Sequence, residues 1–154
     1  MRLLCVHPGA SWATADLFTG LYPALKRHGV ETVEYALDGR IAFAGSWLSA
    51  LYRRNKAGGM PKPTMADTLY LAEQGILERA FRFGVDWVLV IAGTYVLPDV
   101  YDLMRRAGLR VAVLLTESPY DMANEIEIAK HVNIVFTNER TAVPIFAEHC
   151  PAYY

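Results

Sequence analysis

A chain of 154 residues, 53% hydrophobic and 20% charged, is the size of one domain and can bury a core unaided, which excludes a disordered segment or a disulfide-stapled miniprotein. Its formal net charge of -1, from 15 basic and 16 acidic residues, offers no electrostatic case for nucleic acid or an anionic membrane as partner. No apolar run approaches the roughly 18 residues of a spanning helix, the N-terminus is too short an apolar run for a signal peptide, and no Cys/His spacing suggests zinc. A cytoplasmic protein without a metal is therefore expected.

In chain order, Leu3 to Val6 is the first of several continuous apolar runs. Continuous rather than alternating apolarity suits parallel strands covered on both faces. Cys5, inside that run, reads as a small buried hydrophobe. Leu17, Leu21 and Leu25 then share a helical face that Gly29 closes behind Lys26, Arg27 and His28. Pro23 should kink that helix or start a shorter one. Val30 to Tyr35 reads as a second strand, with Asp38-Gly39 as a turn.

The stretch 39–63 is expected to be an irregular insertion with a mobile basic loop at Arg53-Arg54-Asn55-Lys56 and a breaker-rich end at Gly58-Gly59-Met60-Pro61. Trp47, Leu48, Leu51 and Tyr52 within it could still share one helical face. The loop is either simply solvated or grips an anionic ligand. Thr64 is a candidate N-cap for a long helix carrying Leu69, Ile76, Leu77 and Ala80 inward and stopping at Gly84.

Strands at Val88 to Ala92, Val111 to Leu115 and Val132 to Phe136 follow, and Pro98 to Gly108 forms a helix between the first two. Pro151-Ala152-Tyr153-Tyr154 resembles the start of one more strand. The expected fold is α/β: one domain over 1–154, a three-layer Rossmann-like open parallel sheet with helices on both faces.

In such sheets ligands bind beyond the carboxyl ends of the strands, near the point where strand order reverses. Four strand ends are candidates. After strand one come His7, Gly9, Ser11 and Trp12; His7 serves as a base or ligand contact, or merely holds the turn, and Gly9 lets a backbone approach closely. Gly93, Thr94 and Tyr95 follow the Val88 run and serve a ligand or a plain turn. Thr116-Glu117-Ser118-Pro119-Tyr120-Asp121 is the most polar end, with two carboxylates four residues apart. Glu117 or Asp121 there acts as general base or binds sugar hydroxyls, unless Glu117 satisfies backbone donors while Ser118 or Asp121 caps a helix. Asn138, after the fourth run, is a ligand contact or, like Thr137, an N-cap. His28, His131 and His149 read as surface residues. The single glycine after strand one matches neither a dinucleotide fingerprint nor a P-loop.

The order of these motifs resembles the N-terminal domain of a GT-B fold glycosyltransferase, in the group that includes the CgeB-like, spore-maturation glycosyltransferases. The carrying segments are Arg2-Leu3-Leu4-Cys5-Val6-His7-Pro8-Gly9, Leu25 to Val33, Phe83 to Ile91, Arg106 to Val113, Thr116-Glu117-Ser118-Pro119-Tyr120, and His131 to Asn138. The resemblance implies transfer of a sugar from a nucleotide-activated donor to an acceptor, with no cofactor beyond that donor. It also implies an acceptor-side cleft formed by His7, Gly9, Thr94, Glu117 and Asp121, with no motif fixing the base.

A second, C-terminal domain would supply most donor contacts. These 154 residues are expected to hold the first domain alone, as a natural chain or as a piece of a longer one, and by themselves to be catalytically incomplete. Surface normally covered by that domain would favour a homo-oligomer through Trp12, Trp47 and Tyr153-Tyr154. The alternative is a non-catalytic Rossmann-like binding or regulatory domain using the same face.

Overall fold

The computed structural model describes residues 1–9 and 14–154. Among them one all-parallel sheet holds β1 (Arg2–His7), β2 (Glu31–Ala36), β3 (Trp87–Ile91), β4 (Arg110–Leu115), β5 (Ile134–Thr137) and β6 (Ala152–Tyr153), in the order β2-β1-β3-β4-β5-β6. The helices are α1 (Ala15–Arg27), α2 (Leu37–Asn55), α3 (Met65–Phe83), α4 (Pro98–Arg106), α5 (Met122–Lys130) and the short α6 (Val143–Phe146). The expected α/β architecture with helices on both faces is present. None of the described helices is long and apolar enough to cross a membrane.

Strand parity assigns the two faces. Leu4, Val6, Val88, Val90, Val111, Val113 and Val135 point into a large core with Ile76 and Ala80 of α3, Val100, Tyr101 and Met104 of α4, Ile128 of α5 and Phe146 of α6. Leu3, Cys5, Leu89, Ile91 and Ala112 point the other way, onto Phe18, Leu21, Tyr22 and Leu25 of α1. The layers are therefore unequal, since α1 is the helix packed on that second face. Beyond its reach Phe136 and Tyr153 pair at 5.9 Å and stay exposed, as does Tyr154. Cys5 is fully buried, and that burial, with Glu34 nearby, pushes its thiol up to about 12.

Several local expectations hold. Thr64 caps α3 in a reciprocal box: its hydroxyl accepts from Asp67 N–H at 3.2 Å while Asp67 accepts from Thr64 N–H at 2.7 Å. Gly84, at φ +57°, ends the helix in the left-handed conformation.

Two expectations are corrected. Pro23 lies inside α1 and does not start a shorter helix. The carbonyl its ring cannot bond belongs to Thr19, which is exposed and can turn to water. The supposed irregular stretch 39–63 is largely α2, which begins at Leu37, so Asp38-Gly39 forms a first helical turn rather than a loop. A short 3-10 turn over Lys56–Gly58 follows. Helix α2 packs chiefly on α3, closely enough that a β-carbon on Gly45 would touch the Thr68 methyl at 3.6 Å.

Candidate functional site

Strand order reverses between β1 and β3: the chain moves outward from β1 to β2, then crosses back to β3 and continues to β4. The loops leaving β1 and β3 must part there, which opens a crevice at the carboxyl edge. A cleft of about 220 Å³ lies at that point, lined by Pro8 and Thr14 after β1, Ala92, Thr94 and Tyr95 after β3, and Glu117 and Asp121 after β4. A wider groove of about 610 Å³ between α2 and α3 lies away from the strand ends.

The β3 end is held in an unusual backbone shape. Ala92 adopts φ +68°, a conformation that side chains other than glycine rarely take, and Gly93 follows at the same angle. Ala92 N–H donates to Leu114 at 2.8 Å, and the Ala92 carbonyl accepts from Thr94 N–H at 2.8 Å and the Thr94 hydroxyl at 3.1 Å. Gly93 is buried against the core rather than open to a ligand, since a β-carbon there would meet Val113 at 2.9 Å. Its carbonyl accepts from the Tyr101 hydroxyl at 3.1 Å.

Two buried glutamates, which the sequence reading did not single out, brace the loops. Glu73 reaches from α3 and accepts the Leu97 N–H at 3.2 Å, anchoring the end of the β3–α4 loop. Burial pushes its carboxyl up to about 8, against a smaller downward pull from that N–H. Glu125 reaches from α5 into the β4–α5 loop, where it accepts from Glu117 N–H at 3.0 Å and from the Ser118 hydroxyl. Burial raises its carboxyl as well, while those two donors lower it. The Glu117 backbone carbonyl in turn accepts Asp121 N–H at 3.2 Å, so the two cleft carboxylates sit on one turn with a shared brace.

The remaining candidates fall as follows. Ser118 is buried against Glu125 and Thr137 instead of facing the cleft. The Ser118–Pro119 peptide is cis, and Tyr120 is 93% exposed outside the cleft lining. Asn138 ties the next strand end to this loop by donating to Thr116 O at 3.0 Å. Asp121 precedes α5 without a side-chain capping bond and accepts instead from Asn124 at 3.1 Å. Ser11 and Trp12 lie outside the described residues.

His7 is turned from the cleft. It shares strand parity with Leu3 and Cys5, so its ring stacks on Phe18 of α1 at 3.7 Å and its Nε2 pairs with Glu34 at 3.0 Å. Its Nδ1 is buried with no hydrogen-bond partner among the described residues. Of the other histidines, His28 and His149 are exposed, whereas His131 is half-buried between Asp102 at 3.1 Å and Glu127 at 3.3 Å.

Gly9 does permit a close approach, but by the protein itself. At φ +119° it packs under Asp38, whose carboxyl carbon lies 1.9 Å from where a β-carbon would stand. Asp38 N–H donates to Pro8 O at 2.9 Å, tying the start of α2 to the cleft rim. Gly9→Ala is expected to lower stability by roughly 2 kcal/mol, through left-handed strain and displacement of Asp38. Thermal unfolding checks this, and an unchanged midpoint would refute the packing.

Chemically, the lining pairs two carboxylates with hydroxyls from Thr14, Thr94 and Tyr95 and includes no cation among the described residues. Such a set accepts and donates to neutral hydroxyl groups and disfavours a phosphate. The chain matches no protein-family model and no curated protein sequence, so its chemistry rests on this geometry.

Proposed function

We propose that the strand-end cleft binds a neutral polyhydroxyl ligand and that the chain acts as the acceptor-side domain of a glycosyltransferase. The observation that carries this reading is the juxtaposition of Glu117 and Asp121 with hydroxyl side chains, and with no cation among the described residues, in a cleft at the switch point. In the reaction, one of these carboxylates takes the proton of an acceptor hydroxyl as its oxygen bonds to the donor's anomeric carbon. The bond from that carbon to phosphate breaks, and the nucleotide leaves with the electron pair.

A cleft without a cation suits an acceptor, leaving the nucleotide to a second domain, as the resemblance to GT-B enzymes implies. His7 takes no proton in this scheme. Its part is to hold β1 to α1 and β2 through Phe18 and Glu34. The missing cation equally supports a second reading, a domain that binds a sugar without transferring it.

The test is an amide-resolved NMR titration with methyl glycosides and with uridine, guanosine, cytidine and thymidine diphosphate sugars. Glycosides are expected to shift Thr94, Tyr95, Glu117 and Asp121, with about tenfold weaker binding in a Glu117→Gln, Asp121→Asn double variant. No shift at those amides with any probe would sink the sugar site. Nucleotide release by a longer chain that carries the donor-binding domain, with donor and acceptor together, separates the two readings: glycoside binding without it would favour the second.

A further inference from the structure

The near-neutral total charge conceals an opposed distribution. From Gly39 to Ala66 the chain carries five cations, Arg40, Arg53, Arg54, Lys56 and Lys62, and no acidic residue. The rest of the chain carries ten basic and sixteen acidic residues. All five cations are exposed, and none forms an ion pair among the described residues.

Exposed aromatics occupy the same element. On α2, Arg40, Phe43, Trp47 and Arg54 follow at intervals of three, four and seven, which places them within about 60° of the helix circumference. Phe43 is 69% exposed and Trp47 48%. Beneath them lies a groove of about 280 Å³, walled by Tyr35, Leu71, Ala72 and Gly75. Leaving two large rings this exposed is unfavourable.

We propose that this stripe and the basic segment after it dock the protein onto the surface of an anionic lipid bilayer. A helix lying in the interface places aromatic rings at the acyl boundary and cations at lipid phosphates, so one surface satisfies both halves of the pattern. A two-fold contact with a second copy of the chain fits poorly, because it would set five cations against five. A nucleic acid fits poorly too: domains that bind one have a pI above about 9, and here the sequence pI is about 6.4 with the acidic excess elsewhere. The contact is independent of what the strand-end cleft binds. Because α2 begins at the cleft rim, through Asp38 and Pro8, it would hold that cleft beside the membrane.

Vesicle flotation of the whole chain tests this, comparing phosphatidylcholine alone with a mixture containing one-third phosphatidylglycerol. The protein is expected to float with the mixed vesicles only, and less at high salt. Phe43→Ser with Trp47→Ser, and separately Arg53→Glu with Arg54→Glu, should each weaken binding roughly tenfold or more. Phe81→Ser, equally exposed on α3 but outside the stripe, should leave it unchanged. Brominated lipid should quench tryptophan emission in the native chain but not in Trp47→Phe. No flotation, equal flotation on neutral vesicles, unaffected double variants, or tighter retention of an RNA oligomer would each overturn the proposal.

Discussion

Glu73→Gln is expected to make the protein more stable at pH 8 and to change little at pH 5. The carboxyl is fully buried on α3 and pushed up to about 8, against an ordinary value of 4.5. Between these limits the native chain holds a proton that the unfolded chain has released. Stability therefore falls as pH rises through that window, by on the order of 3 kcal/mol, and levels off above the folded value. Glutamine keeps an oxygen to accept the Leu97 N–H and cannot ionise, so the variant should lose most of that slope. Glu125, also raised by burial, supplies a remaining slope of the same sign. Chemical unfolding across pH 5 to 8 is the measurement; parallel profiles for the two proteins would show that Glu73 is not protonated in the native chain.

Glu125→Ala is expected to cost roughly 4 kcal/mol and to disorganise the cleft. Truncation leaves the Glu117 N–H and the Ser118 hydroxyl without their acceptor in a buried site, and also opens a cavity. Glu125→Gln keeps one acceptor oxygen and should cost much less. The decisive comparison joins unfolding with the amide spectrum. If alanine lowers stability while the Glu117 and Asp121 amides keep their shifts, the brace is not what sets the carboxylates in place.

Much of the architecture was legible because parallel strands buried on both faces leave unbroken apolar runs, as at Val88 to Ile91 and Val111 to Leu115. Helix α2 was not, since only Leu37 and Ala44 are fully buried and Gly39, Gly45, Ser46 and Ser49 dilute any periodic signal. The cleft loops could be read from their position at strand ends, but their supports could not. Glu73 and Glu125 sit in ordinary helical sequence, and their partners are 24 and 8 residues away. The orientation of His7 did have a readable signal: it alternates in register with Leu3 and Cys5, not with Leu4 and Val6. Gly9 carried the right physical requirement with the wrong visitor, a carboxylate from the start of α2 instead of a ligand.

The position of β1 between β2 and β3 also bears on how the chain assembles. The pairs Trp87–Arg110, Ala112–Ile134 and Val135–Ala152 close over 23, 22 and 17 residues, whereas Leu3–Trp87 closes over 84. Closure entropy grows with the logarithm of that separation, so seating β1 on β3 costs about 1 kcal/mol more than any step among the later strands. The C-terminal half can thus organise early, and the β1–α1–β2 unit joins it late. The crevice is made where those two halves meet, so a binding site would come into being only at the last stage of folding.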